Sequence, residues 1–119
     1  MKRIGALFFL VVAAVGVSAQ AASAAPSGAV TINVTAVEYH FKLSKTTVPR
    51  GSVVTFKVTN KGKTVHDFKI STLHKGTPYI QPGKTSTFKV TISKSGSYRF
   101  VCTVPRHIEL GMVGNLRVK

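Results

Sequence analysis

Three side chains that bind transition metals lie within one short segment of the chain. Cys102 is the only cysteine, His107 follows it after four intervening residues, and Met112 follows His107 at the same spacing. A single cysteine cannot form an internal disulfide, so Cys102 is a reactive thiol, half of an intermolecular disulfide or a metal ligand. Thiolate and thioether sulfur suit Cu(I), and imidazole suits several transition metals. The make-up of the segment therefore favours metal binding.

A second histidine is predicted to reach the same place. Side chains two residues apart in a strand lie on the same face. Cys102 shares its face with Phe100, and His66 shares its face with Phe68 on another strand-like run. We therefore expect Cys102 and His66 to point inward, whereas by the same test His40 points outward.

The predicted donor set is two imidazoles, one thiolate and one thioether, from His66, His107, Cys102 and Met112. Structural zinc sites use four Cys or His ligands, and methionine is a poor zinc ligand. A His₂Cys set with a weak axial Met is instead the donor set of blue-copper electron-transfer sites. The sequence therefore predicts one copper ion that cycles between Cu(I) and Cu(II).

Two catalytic alternatives are disfavoured. A nucleophilic cysteine needs a lowered thiol pKa beside a histidine, and no helix N-terminus is predicted next to Cys102 to supply it. A copper enzyme that reduces a substrate needs a further copper site, for which His40 and His74 are too few. We expect a protein that is not an enzyme.

The elements that position these residues are predicted to be strands. Apolar and polar residues alternate in the runs 37–44, 54–59 and 87–92, and turn residues follow at short spacing. No run after residue 28 has a helical period. About seven short strands in this length are typical of a two-sheet antiparallel β-sandwich.

The first 24 residues are predicted to be a signal peptide. Two basic residues precede the apolar run 4–17, and cleavage after Ala24 fits the small-residue rule, with Ala19 as a competing site. An uncleaved anchor is the alternative. The remaining domain, residues 25–119, is then exported to the periplasm, the cell envelope or the outside.

Charge in the chain is one-sided, with 17 Lys and Arg against 3 Asp and Glu. Such an excess points to anionic partners rather than to a fold. Nucleic acid is excluded because the protein is predicted to be exported and has no nucleic-acid-binding motif. We expect a monomer whose partner is an acidic redox protein, such as a c-type cytochrome or an oxidase domain, or an anionic membrane surface.

Two segments resemble the cupredoxins of the plastocyanin/azurin type, and the resemblance covers about residues 30–118. YRFVCTVPRHIELGMVGNLRV, residues 98–118, is similar to the family's C-terminal motif, in which an aromatic-rich strand ends in Cys and a loop with Pro delivers His and Met. VTFKVTNKGKTVHDFKI, residues 54–70, is similar to the motif that supplies the first His. The resemblance implies a Greek-key sandwich that shuttles single electrons through a type 1 (blue) copper held by His66, Cys102, His107 and Met112.

The resemblance also implies roles for neighbouring residues. The backbone N–H of Asp67 would bond the thiolate and its side chain would brace Thr103, although Asn is common at this position in the family. Arg106 stands where a small residue is common, so its charge would raise the reduction potential and shield His107, with Glu109 partly neutralising it. The apolar neighbours of His107 would form a docking patch: Pro105, Ile108, Leu110 and Val113.

Two alternatives outside electron transfer stay open. A copper carrier or copper-homeostasis protein binds the ion and hands it on, but it needs exposed ligands, whereas Cys102 is predicted to be buried. A basic sandwich used for adhesion would bind no metal. The visible spectrum of the copper-loaded protein separates all three functions.

Overall fold

A computed structural model describes residues 28–119 and, before them, Gly5, Ala13, Ala14 and Gly16. The predicted signal peptide otherwise lies outside the described residues, so its cleavage site stays a prediction. Within the described part of the chain, no helix is long and apolar enough to cross a membrane.

Nine strands form two sheets in the described residues. The strands are β1 Ala29–Val37, β2 His40–Leu43, β3 Thr47–Val48, β4 Ser52–Asn60, β5 Lys69–Ile70, β6 Lys75–Gly76, β7 Thr85–Ile92, β8 Gly96–Val101 and β9 Val113–Val118. One sheet has the order β2-β1-β4-β7 and the other β3-β9-β8-β5-β6. A 3₁₀ turn, Ser71–Leu73, follows β5. The all-β sandwich predicted from the alternation is confirmed.

The sheets are mixed, so the prediction of a purely antiparallel sandwich was wrong. β1 runs parallel to β4, and β3 runs parallel to β9, while the other neighbouring strands are antiparallel. Alternation shows which face of a strand is buried, but it carries no information on strand direction. The estimate of about seven strands was low because β3, β5 and β6 have two residues each, too few to show a period.

The core lies between the sheets and is filled by the alternating apolar residues. Val54, Phe56 and Val58 of β4 are fully buried, as the period-two pattern predicts. Phe68 lies at the centre, with its ring 5.4 Å from that of Phe56 on the opposite sheet and 5.1 Å from that of Phe100 on the neighbouring strand β8. Burying one such aromatic side chain contributes roughly 1.5–3 kcal/mol. The fold is therefore stabilised by packing that involves no metal.

Parallel pairing of β1 and β4 brings two connections to the same end of the sandwich. The backbone N–H of Lys61, just after β4, donates to the carbonyl of Ala36 near the end of β1 at 2.9 Å. The β1–β2 turn, Glu38 and Tyr39, therefore lies beside the segment that leads to His66. The loop between β8 and β9 closes over the same end and carries the remaining candidate ligands.

Candidate metal centre

Three buried side chains converge at this end of the sandwich. The Nδ1 atoms of His66 and His107 are 3.1 Å apart, and the Sγ of Cys102 lies 3.9 Å from the first and 3.4 Å from the second. His66 and Cys102 are fully buried, and His107 is 7% exposed. The inward orientation predicted for His66 and Cys102 is thus confirmed.

The loop between β8 and β9 is closed by its own backbone. Cys102 N–H donates to the carbonyl of Met112 at 3.1 Å, and Met112 N–H donates to the carbonyl of His107 at 3.0 Å. Two residues turn the chain with positive φ, Arg106 at 72° and Gly111 at 111°. Glycine adopts this backbone conformation without the steric cost that a β-carbon adds. The loop therefore presents Cys102, His107 and Met112 to one place.

Asp67 braces this loop from the neighbouring segment, as the resemblance implied. Its backbone N–H donates to the Sγ of Cys102 at 3.5 Å. Its carboxylate accepts from the backbone N–H of Thr103 at 2.6 Å and from the Thr103 hydroxyl. Asp67 is 1% exposed although its parity directs it away from the core, because the loop covers it.

The pKa shifts describe a site suited to a metal rather than to a free nucleophile. Burial raises the pKa of the Cys102 thiol, so without a cation the thiol stays protonated. Burial, and next the nearby His66, lower the pKa of His107, which keeps its imidazole neutral and able to coordinate. A metal ion supplies the positive charge that a buried thiolate requires. The nucleophilic-cysteine alternative gains no support.

Glu38 is a site residue that the sequence analysis missed. Its Oε1 lies 3.2 Å from the Nε2 of His66, on the side of the ring opposite to Nδ1. Hydrogen bonds from the backbone N–H groups of Thr64 and then Lys63 lower the pKa of Glu38 to about 2. Glu38 lies three residues before the half-buried Phe41, and nothing in this local sequence indicates a contact with His66. The contact depends on the parallel pairing of β1 with β4.

Met112 is fully buried and packs in a small cluster with Cys102 and Ala36. Its thioether is the remaining soft donor at this end of the sandwich. The side chains of His40 and His74 are exposed, and the group of candidate metal ligands found among the described residues contains neither. The structure therefore brings together the residues that the spacing and parity selected and leaves the other histidines outside.

The surface around His107 differs in part from the expectation. Tyr39, which the sequence analysis did not place at the site, packs edge-on against the imidazole of His107, with ring centroids 5.2 Å apart. The predicted patch residues Ile108, Leu110 and Val113 are exposed. Arg106 and Glu109 are also exposed, and they form no ion pair within the described part of the chain.

The donor atoms fit a single metal ion. The point equidistant from the two Nδ1 atoms and the Sγ lies about 2 Å from each, close to the bond lengths of about 2.0–2.3 Å found for zinc with imidazole and thiolate. Two imidazoles, one thiolate and a nearby thioether are the donors of a blue-copper site, and they suit both copper oxidation states. The cofactor that this site points to is one copper ion.

Comparisons with known proteins agree with the fold. The copper-resistant cuproprotein CopI of Rubrivivax gelatinosus is 28% identical over 92 residues, which are 61% of this chain and 56% of that protein. This chain thus spans little more than half the length of that relative.

Two solved structures share the fold. A Na-dithionite-reduced auracyanin from the photosynthetic bacterium Roseiflexus castenholzii has a TM-score of 0.65 at 22% identity, over 75% of this chain and 96% of that chain. Auracyanin A, a "blue" copper protein from Chloroflexus aurantiacus, has a TM-score of 0.61 at 22% identity, over 77% of this chain and 100% of that chain.

The match that identifies the family comes from the sequence. A family model described as the cupredoxin-like domain matches residues 6–113. Because this match covers most of the chain, including strands β1 to β8 and the loop that carries the buried cysteine, the chain belongs to the family of cupredoxin-like domains.

Proposed function

We propose that the protein is an exported blue-copper electron carrier, with His66, Cys102 and His107 as the strong ligands and Met112 as a weak axial ligand. The observation that carries this proposal is the convergence of two Nδ1 atoms and one Sγ around one buried point. Bound copper supplies the chemistry by taking up and releasing one electron.

The protein's own residues keep this site rigid. Asp67 holds the Cys102 end of the loop through Thr103, and the backbone of the loop links Met112 to both Cys102 and His107. These bonds join protein atoms only, and such supporting contacts preorganise the donors for a metal ion. A site that changes little between two oxidation states lowers the cost of rearrangement, which favours electron transfer.

A blue spectrum tests the proposal directly. We expect the copper-loaded protein to show an intense thiolate-to-Cu(II) charge-transfer band, which Cys102→Ser removes. His40→Gln is the matched control, because His40 is exposed and outside the site, and it should leave the band unchanged. A colourless wild type with one Cu(II) bound contradicts the proposal.

The surface near His107 supports a proposal about the partner. We extend the predicted docking patch, which consists of Pro105, Ile108, Leu110 and Val113, by Tyr39, and all five residues are more than one-third exposed. Transient redox complexes use small interfaces, below about 1,200 Å², for which a patch of this kind suffices. The excess of basic over acidic residues in the chain favours an acidic face on the partner. We propose an acidic c-type cytochrome or oxidase domain as that partner.

In this proposal the protein is a carrier and not an enzyme. The catalytic copper enzymes considered above need a second copper site, and His40 and His74 lie outside the ligand group. Export is proposed on the basis of the predicted signal peptide, and a cell-envelope location suits a redox carrier. Fractionation of cells that express the full chain, with detection of the cleaved form, tests the location.

The CopI relative favours a second candidate function, copper handling for resistance or homeostasis. A copper-handling protein must release the ion readily, whereas full burial of His66, Cys102 and Met112 favours slow exchange. Transfer of Cu(I) to a competing chelator, followed by stopped-flow absorbance, distinguishes the two. Release within seconds favours handling, and release over hours favours electron transfer.

A further inference from the structure

Glu38, in the β1–β2 turn, contacts the segment that leads to His66 through one carboxylate oxygen. Its Oε1 accepts hydrogen bonds from the backbone N–H of Lys63 at 2.6 Å and of Thr64 at 2.8 Å. The same oxygen lies 3.2 Å from the Thr64 hydroxyl and 3.2 Å from His66 Nε2. One carboxylate oxygen thus joins the β1–β2 turn to the segment that ends in a candidate copper ligand.

The carboxylate selects one tautomer of His66. A carboxylate that already accepts two backbone N–H bonds acts as an acceptor, so Nε2 must carry the hydrogen in the short contact. Nδ1 is then left with a free lone pair, and it is the atom that faces His107 Nδ1 and Cys102 Sγ. Carboxylate partners of this kind fix the ring orientation of metal-binding histidines and raise their basicity.

Gly62 makes room for the carboxylate. A Cβ at position 62 would meet the carboxylate of Glu38, with the Cδ only 2.8 Å away. Asn60, fully buried, holds the glycine in place, because its Oδ1 accepts from Gly62 N–H at 2.8 Å and its Nδ2 donates to the carbonyl of Thr64 at 2.8 Å. The segment before His66 is therefore shaped around an acidic side chain from another strand connection.

We propose that Glu38 is a positioning residue of the metal centre, which holds His66 with Nε2 protonated and Nδ1 facing the metal and which lowers the reduction potential through its negative charge. The effect on the reduction potential rests on the proposed copper function. A negative charge one imidazole away from the metal favours Cu(II) over Cu(I), which is the opposite of the effect expected from Arg106.

Three variants separate the effect of the Glu38 charge from the effect of the position of its carboxylate. Glu38→Gln keeps the shape and an oxygen acceptor but removes the charge. Gly62→Ala keeps the charge but displaces the carboxylate. Glu109→Gln is the matched control, because it removes the same charge from the β8–β9 loop, where Glu109 is exposed and has no hydrogen bond to a candidate ligand within the described residues.

The tautomer is measured in the copper-free protein by the ¹⁵N chemical shifts of the His66 ring, at mildly alkaline pH, where imidazoles are neutral. We expect protonated Nε2 in the wild type and in Glu109→Gln, and a mixture of tautomers in Gly62→Ala. Thermal melting of each copper-free variant shows that it is folded. Protonated Nδ1 in the wild type overturns the positioning role.

Copper readouts test the charge. We expect Gly62→Ala to bind Cu(II) about 10–100-fold more weakly than the wild type, as other variants in the outer shell of metal sites do. Glu38→Gln should raise the reduction potential by more than Glu109→Gln does. An equal shift in these two variants overturns the charge effect. A wild type that binds no copper but shows protonated Nε2 refutes the proposed function and supports the positioning of His66.

Discussion

The apolar core and the metal end of the sandwich bury their side chains in different ways. The core cluster consists of hydrophobic residues that contact one another, among them Phe56, Phe68 and Ile92. The metal end buries polar side chains, among them His66, Asp67 and His107. Among the described residues, every buried side-chain nitrogen or oxygen atom has a hydrogen-bond partner. Packing therefore stabilises the first region, and specific partners stabilise the second.

This difference teaches that stability and metal chemistry are largely separate in this molecule. A buried polar group without a partner costs about 1–3 kcal/mol, so each ligand needs a dedicated neighbour. The backbone N–H of Asp67 donates to Cys102, and the carboxylate of Glu38 contacts His66. Substitutions in one region should leave the defining property of the other region intact, and the measurements below test that separation and then the surface beside the metal end.

The largest effect is expected from Phe56→Ala in the core. Phe56 is fully buried and its ring stacks 4.9 Å from that of Phe88. Removing a buried Phe side chain typically costs about 3–5 kcal/mol, which is a large part of the stability of a small domain. Urea unfolding of the copper-free protein measures the loss. The absorption per folded, copper-loaded molecule should stay unchanged, and a changed colour would show that the two regions are coupled.

The next effect is stabilisation by copper. A ligand that binds only the native state at about 100 times its dissociation constant adds about 2.7 kcal/mol. Because the core packs without metal, the copper-free protein should melt cooperatively, and copper should raise the melting temperature of the wild type and of Phe56→Ala alike. Calorimetry with and without copper checks this. A copper-free protein with no cooperative transition would mean that the metal end also holds the fold together.

A smaller effect is expected from Met112→Gln at the metal end. An amide oxygen is a harder donor than a thioether, so it favours Cu(II) and lowers the reduction potential while copper remains bound. Voltammetry of both proteins measures the shift. Met112→Leu is the control for volume, since it has no donor atom. A potential that Gln leaves unchanged would show that the thioether of Met112 is not an axial ligand.

The smallest effect concerns surface charge and is kinetic. Arg106 is exposed beside His107, whereas Lys89 is exposed on β7, on the outer face of the four-stranded sheet. Arg106→Glu should slow electron transfer to an acidic c-type cytochrome more than Lys89→Glu does. Steering between exposed charges fades as salt rises, because the Debye length is about 8 Å at physiological ionic strength. Stopped-flow measurements across a salt series give the electron-transfer rates of both variants. Equal losses of rate in the two variants would mean that net charge alone attracts the partner.

Local periodicity was enough to predict which side chains point into the core. Cys102 and His66 were placed by the parity of two short runs, and both are fully buried. The bracing of Thr103 by Asp67, implied by the resemblance, is also confirmed. These features depend on neighbours along the chain or on a short motif, so the sequence carries them.

The strand directions and the contact of Glu38 with His66 could not be predicted from local periodicity. Whether β1 runs parallel or antiparallel to β4 depends on how the chain crosses between the sheets, which no residue pattern within either strand records. Glu38 meets His66 only because that pairing brings two connections to one end. Its closeness to Gly62 is a contact between separate segments, and the two residues show no relation in sequence.

The parallel pairing of β3 with β9 has a consequence for the order of folding. Thr47 pairs with Arg117, so β9, the strand latest in the chain, is inserted between β3 and β8. Contacts between such distant positions slow folding, because a long loop must close before they form. The five-stranded sheet is complete only when β9 has paired with both β3 and β8, and His66 meets the Cys102 loop through the pairing of β5 with β8. Copper offered during folding would therefore meet only the local Cys102, His107 and Met112 donors, and the complete site should load after the sandwich has formed.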